Sequence, residues 1–362
     1  MEQKEKILYL EALRVLATIL VLLNHLPAIT VYSLHEGIRR YAFLTVTLID
    51  CIDVPLFFMI SGALLFRKKP DTKKLLTVKI PRFALVLFLS VLGIFLTNAA
   101  VSVKNGAAPE LSPAVFLRGF LEGSIPGTGN YWFLYAYLSL LIMAPFLYPI
   151  AVSLRRESFL LLLFLHACAC TVLPLLNHFL GAAGQDSLSF SGYLHFPLAV
   201  SKPFFYALCG YYLSEKTESK KIKPSRLCLC GLVAVAGIAI SIYCTGSFLD
   251  RTNEASEQYL PLFDYVSAGF VFLLVRYLFE ERFPKLSEGC FASLLRFLGP
   301  LCFGIYLLDP FLKKALYPAY SRPLGDRIPG LLFSLGWVTL SFLLCATMTS
   351  LLKKIPGIRK LL

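Results

Sequence analysis

The residues best suited to chemistry lie in the first apolar stretch of the chain, where ten residues separate Arg14 from His25. On a helix, eleven steps of about 100° return almost to the starting face, and about 1.5 Å per residue sets the two about 16 Å apart along the axis. Glu11, Arg14, Thr18, Val21 and His25 therefore form one stripe. Histidine titrates near neutral pH and is the side chain best suited to take a proton from a hydroxyl. The same stripe also fits an arginine reaching for headgroups and an interior histidine satisfied by a neighbouring helix. Asp50 and Asp53 share a face of the next apolar stretch, ahead of Pro55-Leu56-Phe57-Phe58-Met59-Ile60-Ser61-Gly62. They are solvated at an interface, or one of them orients a base such as His25. Asp264, Asp309, Lys202, His166, His178 and His195 are further ionisable groups, each of which also fits a helix-end or helix-pairing role. A charged side chain in hydrocarbon costs at least about 2.5–3.5 kcal/mol on insertion scales, so each one inside a span calls for a reason. Between Arg67 and Arg82, seven basic residues stand against one acid, Asp71. This segment serves membrane topology, or it docks a polyanion whose phosphates Lys79 and Arg82 hold by charge-assisted hydrogen bonds.

The elements that must position these groups are membrane helices. Of 362 residues, 57% are hydrophobic and 16% charged, against about 45–50% and 25% in ordinary soluble domains. That balance excludes a soluble enzyme, and the 30 Phe exclude a disordered chain. Hydropathy predicts an all-α integral membrane protein of about ten spans, near 8–29, 42–66, 83–103, 131–152, 158–180, 193–214, 227–248, 259–279, 298–317 and 330–351. The alternating ten-residue strands of a barrel are missing. Glu11 and Arg14 interrupt the first span and no small-residue cleavage site follows it, so it is expected to stay in the mature protein. With the N-terminus inside, inner connections hold 23 Lys and Arg and outer ones 9. This bias puts both termini in the cytosol and makes the net charge of +13 mostly a topology signal. No groove-binding motif supports a nucleic-acid partner. Residues 1–362 read as one domain, without internal repeats or a low-complexity linker. The ten cysteines avoid the outer loops, so no disulfide is expected, and the pairs Cys168/Cys170 and Cys228/Cys230 diverge on a helix, so no metal site is expected there. The longest outer connection, about 104–130, is rich in Pro and Gly, and loops of this length are more often functional than incidental.

Several of these runs together resemble a known family. Tyr9-Leu10-Glu11-Ala12-Leu13-Arg14-Val15-Leu16-Ala17, ending in Asn24-His25, resembles the first helix of the acyltransferase 3 family, which pairs an Arg and a His at this spacing. Val54-Pro55-Leu56-Phe57-Phe58-Met59-Ile60-Ser61-Gly62 is similar to its second-helix signature. Tyr131-Trp132-Phe133-Leu134-Tyr135 with Pro145, and Gly304-Ile305-Tyr306-Leu307, are similar to its fourth and late helices. Three positions depart from the pattern. Lys79-Ile80-Pro81-Arg82 replaces a pair of arginines, Asp309 stands where a His is common, and Asn130-Tyr131 precede Trp132 where a His is frequent.

The resemblance implies a multi-pass protein of a bacterial cell membrane that transfers an acyl group, usually acetyl, from cytosolic acetyl-coenzyme A to a hydroxyl of a cell-surface or lipid-linked glycan. On this reading His25 is the general base or a transient acyl carrier, and Arg14, Lys79 and Arg82 bind the donor. By depth, Asp53 or Asp50 is the carboxylate expected to fix the tautomer of His25. Asn24, Ser61 and Arg14 are candidate donors to the oxyanion. No metal is called for. The competing reading is a transporter or glycan exporter in which Arg14, His25, Asp50 and Asp53 line a path. The absence of inverted repeats speaks against it.

Overall fold

The computed structural model describes residues 7–26, 38–218, 222–252, 260–324 and 330–361. Lys4, Lys6, Lys220 and Lys221 of the inner charge count, and the end of the span expected at 8–29, lie outside them. Every regular element among the described residues is helical. Among them, in chain order, are α1 (Leu8–Asn24), α2 (Ile38–Asp50), α3 (Asp53–Leu65), α4 (Ile80–Lys104), α5 (Pro113–Glu122), α6 (Trp132–Ser153), α7 (Arg156–Ala167), α8 (Lys202–Tyr211), α9 (Pro224–Thr252), α10 (Asp264–Tyr277), α11 (Gly289–Leu298), α12 (Cys302–Leu324) and α13 (Gly330–Leu352). Helix is what a lipid-facing chain must adopt, because each N–H and C=O is then paired within its own segment.

Among the described residues, seven helical stretches are long and apolar enough to cross a membrane: Arg40–Leu65, Thr72–Lys104, Gly129–Ser153, Arg156–Ala182, Pro224–Asp250, Gly289–Pro323 and Gly330–Leu352. The spans expected at 8–29, 193–214 and 259–279 hold shorter or more charged helices: α1 with 17 residues, α8 with 10 before the π-helical turn Tyr212–Lys216, and α10 with 14 before the π-helical turn Leu278–Arg282, which carries Glu280, Glu281 and Arg282. These three pack with α3 at the centre of the bundle, where Leu10, Leu13, Phe58, Phe205 and Phe272 are fully buried. A helix walled by protein need not match the hydrocarbon thickness, and its ends can stop at a cavity. Four central helices do so: α1 ends at His25, while α3, α8 and α10 begin at Asp53, Lys202 and Asp264. The second expected span is interrupted at Cys51–Ile52, and the Asp53 carboxylate, in the first turn of the restarted helix, accepts from the Val54 N–H at 2.5 Å.

Helices α3 and α8 cross at backbone contact. A Cβ at Gly62 would fall on the Ala207 carbonyl, and one at Gly210 on the Met59 carbonyl. Small residues at such a crossing let dispersion hold two helices together where lipid offers no hydrophobic drive. The long connection of 104–130 is partly ordered by α5, which Ser112 caps at its start and Gly123, at φ 66°, closes in the left-handed conformation. At the opposite end of the bundle from the cavity, Glu11 packs against Gly299, Lys353 donates to the Pro300 carbonyl at 2.5 Å, and Arg82 to the Leu361 carbonyl at 3.2 Å. The first and last described segments therefore lie together.

Candidate active site

His25 caps the C-terminus of α1 and lines a cavity of about 1070 Å³. Its Nδ1 lies 3.0 Å from Oδ2 of Asp309, a carboxylate only 1% exposed, on α12. The other oxygen of Asp309 accepts from the Ser341 hydroxyl of α13 at 2.8 Å. With the Asp309 carboxylate ionised, and so accepting only, the imidazole hydrogen sits on Nδ1 and the lone pair on Nε2. A residue so held is oriented as a base. The carboxylate expected on His25 from depth alone was that of Asp53 or Asp50, and the structure corrects this. Asp53 lines the same cavity but takes the Asn24 amide at 3.1 Å, while Asp50 is buried outside the cavity wall with no hydrogen-bond partner for either oxygen among the described residues.

The remaining sequence candidates divide between two places. Asn24, His25, Asp53, Lys202 and Asp264 share the cavity. Arg14 and Ser61 do not. Arg14 donates to Glu11 at 2.7 Å, and the Ser61 hydroxyl donates back to the Phe57 carbonyl at 2.7 Å and meets the Tyr137 hydroxyl. Eight residues along α3, Ser61 lies about 12 Å from Asp53, and so it is no donor to an oxyanion forming at His25. Tyr137 also stands in the field of Arg14 and packs on Phe83, the neighbour of Arg82. Arg14, Ser61 and the start of α4 thus surround one polar region at the end of the bundle where α1 begins. Lys79, in the short π-helical turn before α4, and Arg82 are both exposed there.

An aromatic layer separates this region from the cavity. Phe57, Phe133 and Tyr306 line the cavity floor, with ring centroids 5.6 Å apart for Phe57–Phe133 and 5.7 Å for Phe133–Tyr306. Phe133 stacks in turn on Tyr137 at 6.0 Å. Tyr306 donates to the Asn130 carbonyl, and Tyr131 to the Leu307 carbonyl at 2.9 Å, which ties the start of α6 to α12.

In the sequence Asp309 is one of several ionisable groups with nothing to pair it to His25, and Lys313 and Lys314 are two of the outer charges. Lys313 donates to the His25 carbonyl, Lys314 to Asn98, and both line the cavity. A signal is present in the chain. Tyr306, Asp309, Lys313 and Tyr317 recur at intervals of three and four, the spacing of one helix face, and this face meets His25.

Chemically, the arrangement offers an oriented base, a neighbouring ammonium and amide, and aromatic walls beside polar groups. Among the described residues no cluster of His, Cys, Asp or Glu could hold a metal ion. Compared with known families, residues 7–351 match the family model described as an acyltransferase domain, of the acyltransferase 3 type. No curated protein and no solved structure matched the chain.

Proposed function

Because this chain belongs to the acyltransferase 3 family and is a multi-pass membrane acyltransferase, we propose that it moves an acetyl group from cytosolic acetyl-coenzyme A to a hydroxyl of a cell-surface or lipid-linked glycan, with His25 as general base. The observation that carries this reading is the Ser341–Asp309–His25 relay at the wall of the cavity. In the proposed reaction the Nε2 lone pair of His25 takes the acceptor hydroxyl proton as that oxygen attacks the thioester carbonyl. The Asp309 carboxylate stabilises the imidazolium that forms. The Lys313 ammonium and the Asn24 amide are the groups at hand to donate to the oxyanion, as preorganised donors do in acyl transfer. His25 then returns its proton to the departing thiolate, which leaves the acetyl ester, free coenzyme A and a neutral imidazole.

The donor is proposed to approach from the end where α1 begins. There Arg14, Lys79 and Arg82 supply positive charge for its phosphates, and the roughly 16 Å between Arg14 and His25 is a distance that a long pantetheine arm can span. The cavity end then faces outward, in the cell membrane of a bacterium. The test is His25→Ala in the full chain, read as incorporation of radiolabelled acetyl from acetyl-coenzyme A into the saccharide fraction of membranes. Incorporation is expected to vanish at normal protein level. Undiminished incorporation would overturn the assignment of His25.

A further inference from the structure

Three ammonium groups stand in the wall of the cavity, those of Lys202, Lys313 and Lys314. None makes an ion pair with a carboxylate among the described residues. Their surroundings nevertheless differ. Lys202 lies in the field of Asp264 and Asp53, and Lys313 in that of Asp309. Lys314 has no ion-pair partner among the described residues, and its ammonium donates to the side-chain carbonyl of Asn98. Asn98 is fixed in turn, because its amide donates to the Pro126 carbonyl at 2.8 Å. Lys314 is therefore held at the wall by a neutral, anchored acceptor, with ammonium hydrogens to spare. Gly127 and Gly129, just after Pro126, line the same cavity, and a Cβ at Gly129 would meet nothing within 4 Å. A positive charge facing the cavity without an ion-pair partner among the described residues points to a functional site. A neutral sugar hydroxyl would not call for it.

We infer that the saccharide bound in the cavity is anionic, and that its carboxylate or phosphate docks on Lys314 while one of its hydroxyls reaches His25. The second half of this statement rests on the acyl-transfer reading, and the first half does not. A phosphate of coenzyme A has the same chemistry and is the other source an experiment must separate.

The test uses the full-length protein in lipid nanodiscs, titrated with glucuronate- and phosphate-bearing disaccharides and with their neutral counterparts. A charged disaccharide is expected to bind about tenfold tighter than its neutral counterpart, the size of one charge-assisted hydrogen bond. The preference should disappear in Lys314→Met, survive in Lys314→Arg and shrink with added salt. Acetyl-coenzyme A affinity should be the same in Lys314→Met as in the parent. Equal affinity for charged and neutral forms, or no measurable binding of any of them, overturns the inference. So does a preference that persists in Lys314→Met, or a Lys314→Met protein that loses acetyl-coenzyme A affinity instead. Acetyl transfer is scored separately. Transfer to charged and neutral saccharides at equal rates, abolished by His25→Ala, removes this inference alone. A Lys314-dependent charge preference without any transfer removes the acyl-transfer reading and keeps the anionic ligand.

Discussion

Replacing Asp309 by Asn keeps the size of the side chain and removes its charge. In the native protein the carboxylate lies 3.0 Å from His25 Nδ1 and is 1% exposed, so solvent screens it little. With charge centres about 4 Å apart and an effective dielectric of about 20, the imidazolium formed during proton transfer gains about 4 kcal/mol from this partner. At about 1.36 kcal/mol per decade, losing it lowers kcat by about a thousandfold. The orientation of the new amide adds to the loss. If its NH2 faces Nδ1, the imidazole hydrogen moves to Nε2, and the base lone pair points at the substituted amide rather than at the acceptor. The assay is radiolabelled acetyl transfer by purified protein under saturating donor, with thermal stability in detergent and protein level as controls. A variant that folds normally and keeps more than about a tenth of parental kcat would refute the relay. A larger loss for Asp53→Asn than for Asp309→Asn would refute it as well.

The other expectations are simpler. Ser61→Ala should keep kcat within about threefold of the parent, since its hydroxyl donates to its own helix about 12 Å from Asp53; a collapse of kcat in a stable variant would return Ser61 to the chemistry. Lys79→Ala combined with Arg82→Ala should raise the Kd for acetyl-coenzyme A by about tenfold or more at physiological salt without changing saccharide binding; equilibrium binding in detergent decides this, and unchanged affinity would disprove the donor patch. Gly62→Leu should force α3 and α8 apart at the Ala207 carbonyl and cost at least about 1–3 kcal/mol; a melting temperature equal to that of the parent would show that the crossing is not tight.

Local periodicity carries some of this and cannot carry the rest. The stripe from Glu11 to His25 is a property of one helix, so spacing alone places Arg14 and His25 on one face, and α1 is indeed continuous between them. The partner of His25 is a property of helix packing. Asp50, Asp53, Asp264 and Asp309 all occupy apolar runs, and depth does not tell which helix stands next to α1. Asp309 is 284 positions away from His25 in the chain. Ser61 is the reverse case. Its eight-residue distance from Asp53 already separates it from the cavity, but its place in a sequence motif draws attention away from its position on the helix. The three short central helices are not legible because hydropathy measures apolar length and not where a helix stops. Their ends at Lys202, Asp264 and His25 are set by the cavity they border.

The aromatic layer of Phe57, Phe133, Tyr137 and Tyr306 has an electrical consequence. On one side the open cavity shares the potential of the medium it opens to, so the membrane voltage falls mainly across the rings and the helices around them. Each elementary charge crossing that layer is subject to about 2.3 kcal/mol per 100 mV, besides its loss of hydration. The thioester arm of the proposed donor carries no net charge and so gains or loses no such energy. If the proposed transfer passes between these rings, the layer that admits an uncharged arm still opposes protons and ions, and acyl transfer need not discharge the membrane.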